Sequence, residues 1–288
     1  MKIIVSVKQV PDTSGKVAVN PDGTLNRASM QTIINPDDMN AVEAALKIKD
    51  ATGCKVLVVT MGPPPAEGML RELIAMGADE GYLVSAREFG GSDTYATSQI
   101  LAAAVDTIGL DKDDIVFCGR QAIDGDTAQV GPQVAEKLGL PQVTYAEQIV
   151  SIDDSRIVIK RRLEHGVETV SSPYPMLMTV NGSAPECRPQ NAKRVMKYKH
   201  ARTRSELQEL GEDYYMQLLE AKSYLKINEW NVGDIDADPQ QLGLLGSPTK
   251  VKQIENVVFQ AKESRRLTAS DGDIDSLMVE LISSHTLG

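Results

Sequence analysis

The stretch that most limits what this chain can fold into is residues 115–132, IVFCGRQAIDGDTAQVGP. It opens with a short apolar run, 115–118, that reads as a buried strand. A turn containing Gly119, Gly125 and Asp126 follows, and then a helix over 127–138, stopped by Gly139. Strand, glycine-containing turn and helix form the arrangement by which an α/β protein offers backbone N–H groups to an anion, because the free donors and the positive end of the helix dipole point the same way. With no side chain at Gly125, a diphosphate can lie against the backbone. Asp126, Thr127 and Gln129 add side-chain hydrogen-bonding groups. The simpler reading is a capped helix after a strand, with Asp126 or Thr127 as the cap.

The rest of the chain repeats that grammar. Residues 2–7 form an apolar strand, and 17–27 read as a hairpin around Asn20-Pro21-Asp22-Gly23. Asn35 caps a helix that has Pro36 at its first position and Asp37 and Asp38 facing the dipole, with Met39, Val42 and Leu46 on its buried face. Strand 55–60, the stiff loop 61–65, helix 66–76 closed by Gly77, and strand 81–84 follow. A helix capped by Ser92 or Asp93 then runs to Ile108. This alternation predicts an α/β fold with a doubly wound, mostly parallel sheet. Ligands of such sheets sit beyond the carboxyl ends of the strands, where loops 6–10, 60–63, 92–97 and 119–131 gather.

After Gln142 the pattern changes. Residues 147–152, 156–162 and 167–171 read as short strands separated by Asp153-Asp154-Ser155 and Glu164-His165-Gly166, an antiparallel meander added to the sheet. An apolar strand, 176–180, follows Tyr174-Pro175. Residues 188–204 hold seven Lys or Arg and no acid, in a chain of net charge -10. That is either a solvated helix face or a docking loop for an acidic partner. Residues 205–226 read as an amphipathic helix. Residues 228–249 read as an arm in which Leu242, Leu244 and Leu245 have no core of their own, and 273–283 as a short C-terminal helix. The organisation expected is a nucleotide-binding α/β domain over 1–204, followed by a C-terminal helix and arm over 205–288.

Acidity argues against general nucleic-acid binding. No run is long and apolar enough for a membrane span, and the start lacks a signal-peptide pattern. Cys54, Cys118 and Cys187 form no CxxC pair, which argues against a metal or iron–sulfur site. The three histidines stand apart from any nucleophile pattern. A cytoplasmic location is expected.

Separated features carry a family resemblance. They are KQVPD at 8–12, NPDD at 35–38, GRQAIDGDTAQVGP at 119–132, and RRLEHGVETVSSPYPMLMTV at 161–180. Together they resemble the electron-transfer flavoprotein beta subunit family. The resemblance implies a heterodimer with an alpha subunit that carries FAD, serving an acyl-CoA or other flavin dehydrogenase. One branch of the family holds AMP in the beta subunit as a structural ligand. The other holds a second FAD there, takes hydride from NADH and bifurcates electrons toward the dehydrogenase and toward ferredoxin or flavodoxin. Gly125-Asp126-Thr127-Ala128-Gln129-Val130-Gly131 and Asp93-Thr94-Tyr95-Ala96-Thr97 resemble the FAD-holding branch. Gly125 and Ala128 leave room for a diphosphate where the other branch has bulkier polar residues.

The site so implied comprises Ser6, Asn35, Met61 and Gly62; Asp93, Thr94 and Thr97; and Gly119, Arg120, Gln121, Ala122, Gly125, Asp126, Thr127, Ala128, Gln129, Val130 and Gly131. It contains no catalytic acid or base and no metal ligand. Without the family, Thr94 and Thr97 read as a cap and a packed threonine. Residues 188–199 fall where the family recognises its dehydrogenase, and Gly246-Ser247-Pro248-Thr249 resembles a turn at a subunit or cofactor boundary. A rival reading takes Gly90-Gly91-Ser92-Asp93 for an ATP-pyrophosphatase loop, or the whole for a nucleotide-binding regulatory domain. The pyrophosphatase loop belongs directly after the first strand, where this chain has Lys8-Gln9-Val10-Pro11-Asp12.

Overall fold

The computed structural model describes residues 1–12, 31–211, 213–250 and 264–287. The expected hairpin at 17–27 lies outside them. Two compact units are present, Met1–Lys252 and Gln253–Gly288. In chain order the first begins with β1 (Lys2–Ser6), β2 (Gln9–Pro11), β3 (Thr32–Ile34), α1 (Pro36–Thr52), β4 (Lys55–Met61), α2 (Glu67–Met76), β5 (Glu80–Val84) and α3 (Thr94–Ile108). It continues with β6 (Ile115–Gly119), α4 (Val130–Lys137), β7 (Gln142–Ile152), β8 (Arg156–Leu163), β9 (Gly166–Pro173) and β10 (Met176–Val180). It closes with α5 (Ala192–Tyr198), α6 (Arg204–Leu210), α7 (Asp213–Ala221), β11 (Asn228–Trp230) and the single turn α8 (Gly243–Gly246). The second unit holds α9 (Asp271–Ser283), whose Ile274, Leu277, Met278 and Ile282 are exposed within it.

Among the described residues the main sheet has nine strands, in the order β11-β5-β4-β1-β6-β10-β7-β8-β9. Pairing is parallel from β11 to β7 and antiparallel through β8 and β9. The doubly wound sheet with its meander therefore stands as read. From central β1 the chain moves outward through α1 and α2 to β4 and β5, then crosses back through α3 to β6. Strand side chains alternate between faces. Ile3 and Val5 pack with Val42, Leu46, Leu70 and Leu73 of α1 and α2, whereas Ile4 packs with Ile100, Leu101, Val134 and Ala135 of α3 and α4. Both faces are covered, so the inner strands read as unbroken apolar runs. Each Ile or Leu so buried contributes about 1.5–3 kcal/mol of transfer free energy.

The structure departs from the sequence reading in several places. The helix over 205–226 is broken in two, because Gly211 takes a left-handed conformation (φ 64°) and returns its N–H to the carbonyls of Leu207 and Gln208. β7 starts at Gln142, five residues before the expected Glu147, because its first half pairs with β10. The pairing shifts register between Met178 and Val180, opposite the segment that holds Tyr145 at φ 60°. The arm is part of the fold: β11 extends the sheet beside β5, and Leu242 is buried with Phe89 and Val84. Leu244 and Leu245 are exposed. Among the described residues no helix is long and apolar enough to cross a membrane.

Candidate functional site

The parallel strands end on one edge of the sheet, and the connections leave β1 and β6 in opposite directions. The loop 120–129 sits at that switch point. Its first half is tied down by the start of α1. Asp38 is buried, and its carboxylate accepts the N–H of Lys8 at 2.8 Å and that of Gly119 at 3.0 Å. Burial pushes this carboxyl up to about 7, against the pull of those N–H groups. A Cβ on Gly119 would overlap the Asp38 carboxylate, so the position needs glycine for close approach. Burial, together with the neighbouring Asp38, raises the pKa of the Cys118 thiol, which keeps it protonated and inert.

Asn35 stands at the cap position of α1, yet its side chain makes no capping bond there. Instead its Nδ2 donates to the Gln121 carbonyl (2.8 Å) and its Oδ1 accepts the Ile123 N–H (3.1 Å). The Arg120 guanidinium donates to Asp37 at 3.2 Å, and Lys8 pairs with Asp124 at 2.7 Å. The polar residues at the head of α1 thus hold the loop: Asp37 and Asp38 stand in the first helical turn as expected, whereas the Asn35 side chain reaches the loop instead of capping its own helix.

The second half of the loop is open. Gly125 does not have positive φ, and a Cβ built on it meets nothing within 4 Å among the described residues. The unusual backbone lies at Asp126 (φ 51°) and Ala128 (φ 53°). Ala128 is followed by right-handed Gln129 (φ -100°, ψ -29°). Positive φ followed by right-handed φ turns successive N–H groups toward a common hollow, which suits an anion. Helix α4 begins at Val130, three residues after the expected Thr127, and neither Asp126 nor Thr127 caps it. Pro132 has no N–H to give the Ala128 carbonyl, so the first helical turn cannot extend that far back. The N–H groups of Val130 and Gly131 open the helix with no intrahelical acceptor. The Asp126 carboxylate is taken by Gln121 Nε2 at 2.8 Å, and Asp124 by Lys8. Both loop acids are thereby partnered, and the residues present fit an anionic nucleotide.

The head of α3 closes one side. Asp93 caps it, accepting the Ala96 N–H at 3.0 Å. The Thr94 hydroxyl donates to Gln129 Oε1 at 3.0 Å, joining α3 to the loop. Thr97 lies half-buried one turn further on. Ser6, Met61 and Gly62 lie at or just beyond the carboxyl ends of β1 and β4. Sequence reasoning missed Lys8, the buried role of Asp38, and Thr179, which lies under Gly131. The KQVPD and NPDD runs held a signal for the first two; nothing in the apolar run 176–180 marks the third. A groove of about 610 Å³ between α1 and the β7–β8 ribbon, lined in part by Ile48, Ile149, Met178, Lys47 and Lys160, shares no residue with the loop.

The basic segment divides in two. Arg188 pairs with Glu43 at 2.9 Å and with Asp50 at 2.8 Å, and Arg194 donates to the carbonyls of Ile74 and Ala78. Lys193, Lys197 and Lys199 are exposed beside Val195 and Met196, the last 65% exposed. Lys197 also lies 4.8 Å from the Tyr224 ring centre.

Comparison with known proteins gives a consistent result. The family model "Electron transfer flavoprotein domain" matches residues 22–203. The acryloyl-CoA reductase electron transfer subunit gamma of Anaerotignum propionicum is 68% identical over 179 residues, 62% of this chain and 67% of that protein. The electron transfer flavoprotein subunit beta of Clostridium acetobutylicum is 44% identical over 256 residues, 88% of this chain and 87% of its own. Subunit CarD of the caffeyl-CoA reductase-Etf complex of Acetobacterium woodii is likewise 44% identical over 256 residues, 87% of this chain and 86% of its own.

Proposed function

Because this chain belongs to the electron transfer flavoprotein family, among its beta subunits, we propose that the loop 120–131 holds FAD and that the protein takes hydride from NADH for electron bifurcation. The open half of the loop carries this reading. Among the described residues nothing lies within 4 Å of a Cβ at Gly125, Ala128 adds only a methyl group, and backbone N–H groups stand at the start of α4. A diphosphate needs that room; a single phosphate does not.

When bound, FAD supplies hydride acceptance and one-electron delivery, and the protein supplies position and electrostatics. The backbone N–H groups of residues 127–131 would hold the diphosphate, since those of Gly125 and Asp126 are given to the Ala122 carbonyl. Lys8 and Gln121 occupy the two loop acids and so remove repulsion against it. Thr94 and Thr97 face the ribityl side, and Ser6, Met61 and Gly62 form the floor at the strand ends. Asn35 and Asp38 hold the loop in place.

The partners follow from the same reading. They are an alpha subunit with the second FAD, a flavin dehydrogenase acting on a CoA thioester, and ferredoxin or flavodoxin as the low-potential acceptor, all in the cytoplasm. Relatives named for acryloyl-CoA and caffeyl-CoA reductases support the choice of dehydrogenase class. Residues 205–288 contact the alpha subunit, and α5 meets the dehydrogenase. The test is the FAD and AMP content of the purified heterodimer after denaturation. FAD in both subunits without AMP supports the proposal; FAD in the alpha subunit alone, with AMP here, replaces it by the non-bifurcating carrier.

A further inference from the structure

The tail that follows β11 returns over the carboxyl edge of the sheet and meets the head of α3. The approach is close: a Cβ on Gly243 would overlap the Glu88 carbonyl, and one on Gly91 would press into the Leu244 side chain. Ser247 is buried there; its hydroxyl donates to the Gly243 carbonyl at 2.6 Å and accepts the Asp93 N–H at 2.9 Å. The Asp93 carboxylate accepts the Thr249 N–H at 3.0 Å and the Thr249 hydroxyl at 2.7 Å. Its other oxygen caps α3 through Ala96. Against the upward push of desolvation, the hydrogen bonds from Ala96 and Thr249 together hold this carboxyl below its ordinary value, so it remains a charged acceptor at neutral pH.

Two consequences follow. Asp93 has its oxygens filled by protein donors, so it contributes location to the site more than contact. The very next residue, Thr94, holds Gln129 at the head of α4. An unbroken chain of hydrogen bonds and one peptide link therefore runs from Thr249 through Asp93 and Thr94 to the open half of the loop.

We infer that Ser247 and Thr249 are positioning residues for the nucleotide, clipping the head of α3 so that Thr94 registers the 127–131 backbone for the ligand's phosphates. The inference rests on the nucleotide reading above and adds the tail to that site. The tail acts through Asp93, and α3 keeps its own cap when the clip is lost. The loop should loosen while the helix persists.

The test uses the purified heterodimer and the variants Thr249→Val and Thr249→Ser. Thr249→Val keeps the branched shape and removes the hydroxyl donor; Thr249→Ser restores that donor. Release of the beta-site nucleotide is followed by flavin fluorescence, or by AMP content after gel filtration, and amide exchange is measured at 94–97 and 127–131. We expect Thr249→Val to release nucleotide about tenfold faster, the effect of one lost hydrogen bond to a charged group. Exchange at 127–131 should rise, and Thr249→Ser should recover both. Thr94→Val should mimic the defect, and the double variant should release nucleotide no faster than the faster single variant. Wild-type release and wild-type exchange in Thr249→Val would overturn the clip, as would additive effects in the double variant. If the unaltered heterodimer carries no nucleotide in this subunit, the nucleotide reading itself fails, while the exchange measurement still decides whether the tail orders the loop.

Discussion

The methyl carbon of Thr179 stands where a side chain at position 131 would begin: a Cβ built on Gly131 lies 2.6 Å from it. The hydroxyl of the same threonine accepts the Tyr145 N–H at 3.1 Å. One side chain on β10 therefore sets how closely α4 approaches the sheet and secures the positive-φ residue of β7 on the other side. Gly131→Ala should push α4 outward and destabilise the fold by about 1–3 kcal/mol. Thr179→Ser removes the methyl and keeps the hydroxyl, so it should recover much of that loss in the double variant. Denaturant midpoints of the three variants check this, and no recovery would mean that the contact is not what limits the helix.

Gly125→Val should expel the nucleotide of this subunit and leave the alpha-subunit flavin in place. Position 125 does not have positive φ, and among the described residues nothing lies within 4 Å of a Cβ there. The variant should therefore melt within about 0.5 kcal/mol of the parent when both are free of ligand, as surface changes usually do. Flavin content and a melting curve separate the two effects. A stable variant that keeps the nucleotide would show that the phosphates lie elsewhere.

Asp38 should make stability fall as pH rises. Its carboxyl is at about 7 in the fold against 3.8 without it. Between those values the folded chain binds a proton that the unfolded chain has released, so this contribution is full below about pH 4 and is lost as pH passes through about 7. Asp38→Asn should remove that slope, at a cost in overall stability, since an amide offers only one of the two acceptors. Denaturant midpoints from pH 5 to pH 8 for both proteins give the difference; parallel curves would count against a raised Asp38.

Lys193→Glu with Lys199→Glu should slow electron delivery to the dehydrogenase, on the order of tenfold at low salt, and the wild-type rate should fall as salt rises. Reduction of an artificial dye by NADH should hardly change. Arg188 and Arg194 are unsuited to this test, because they are bonded to Glu43, Asp50 and main-chain carbonyls. A parallel fall of both reactions would place the segment in folding.

NADH should reduce ferredoxin through the complete complex only when the oxidised substrate of the dehydrogenase is present. Equal rates with and without that substrate would indicate ordinary electron transfer.

The sheet was readable because β1, β4, β6 and β10 are covered on both faces and so read as apolar runs between helix signals. Asp93 was readable as a cap because its partner, Ala96, is local. Asn35 was not. A short polar residue before Pro36 looks the same whether it caps its own helix or reaches Gln121 and Ile123, and only tertiary contact decides. The start of α4 was misplaced because Thr127 is a good cap in isolation, while Pro132 moves the start forward. Leu242 looked coreless because β11, three residues long, gives too short a pattern to reveal that the arm joins the sheet. Thr179 could not be found at all, since its role depends on the glycine opposite.

The basic segment has one further property. Arg188 fastens its entrance to α1, and Arg194 fastens α5 to the Ile74 carbonyl, one of those the last turn of α2 leaves without a helical partner, and to the Ala78 carbonyl just beyond it. Met196 and the exposed lysines beside it are thus held on a braced platform. A docking protein that meets this platform has no loop to order, so little conformational entropy is lost on binding. If the dehydrogenase docks here as proposed, formation of the complex would be governed by the frequency of charge-guided encounters, and turnover could proceed through brief, repeated contacts.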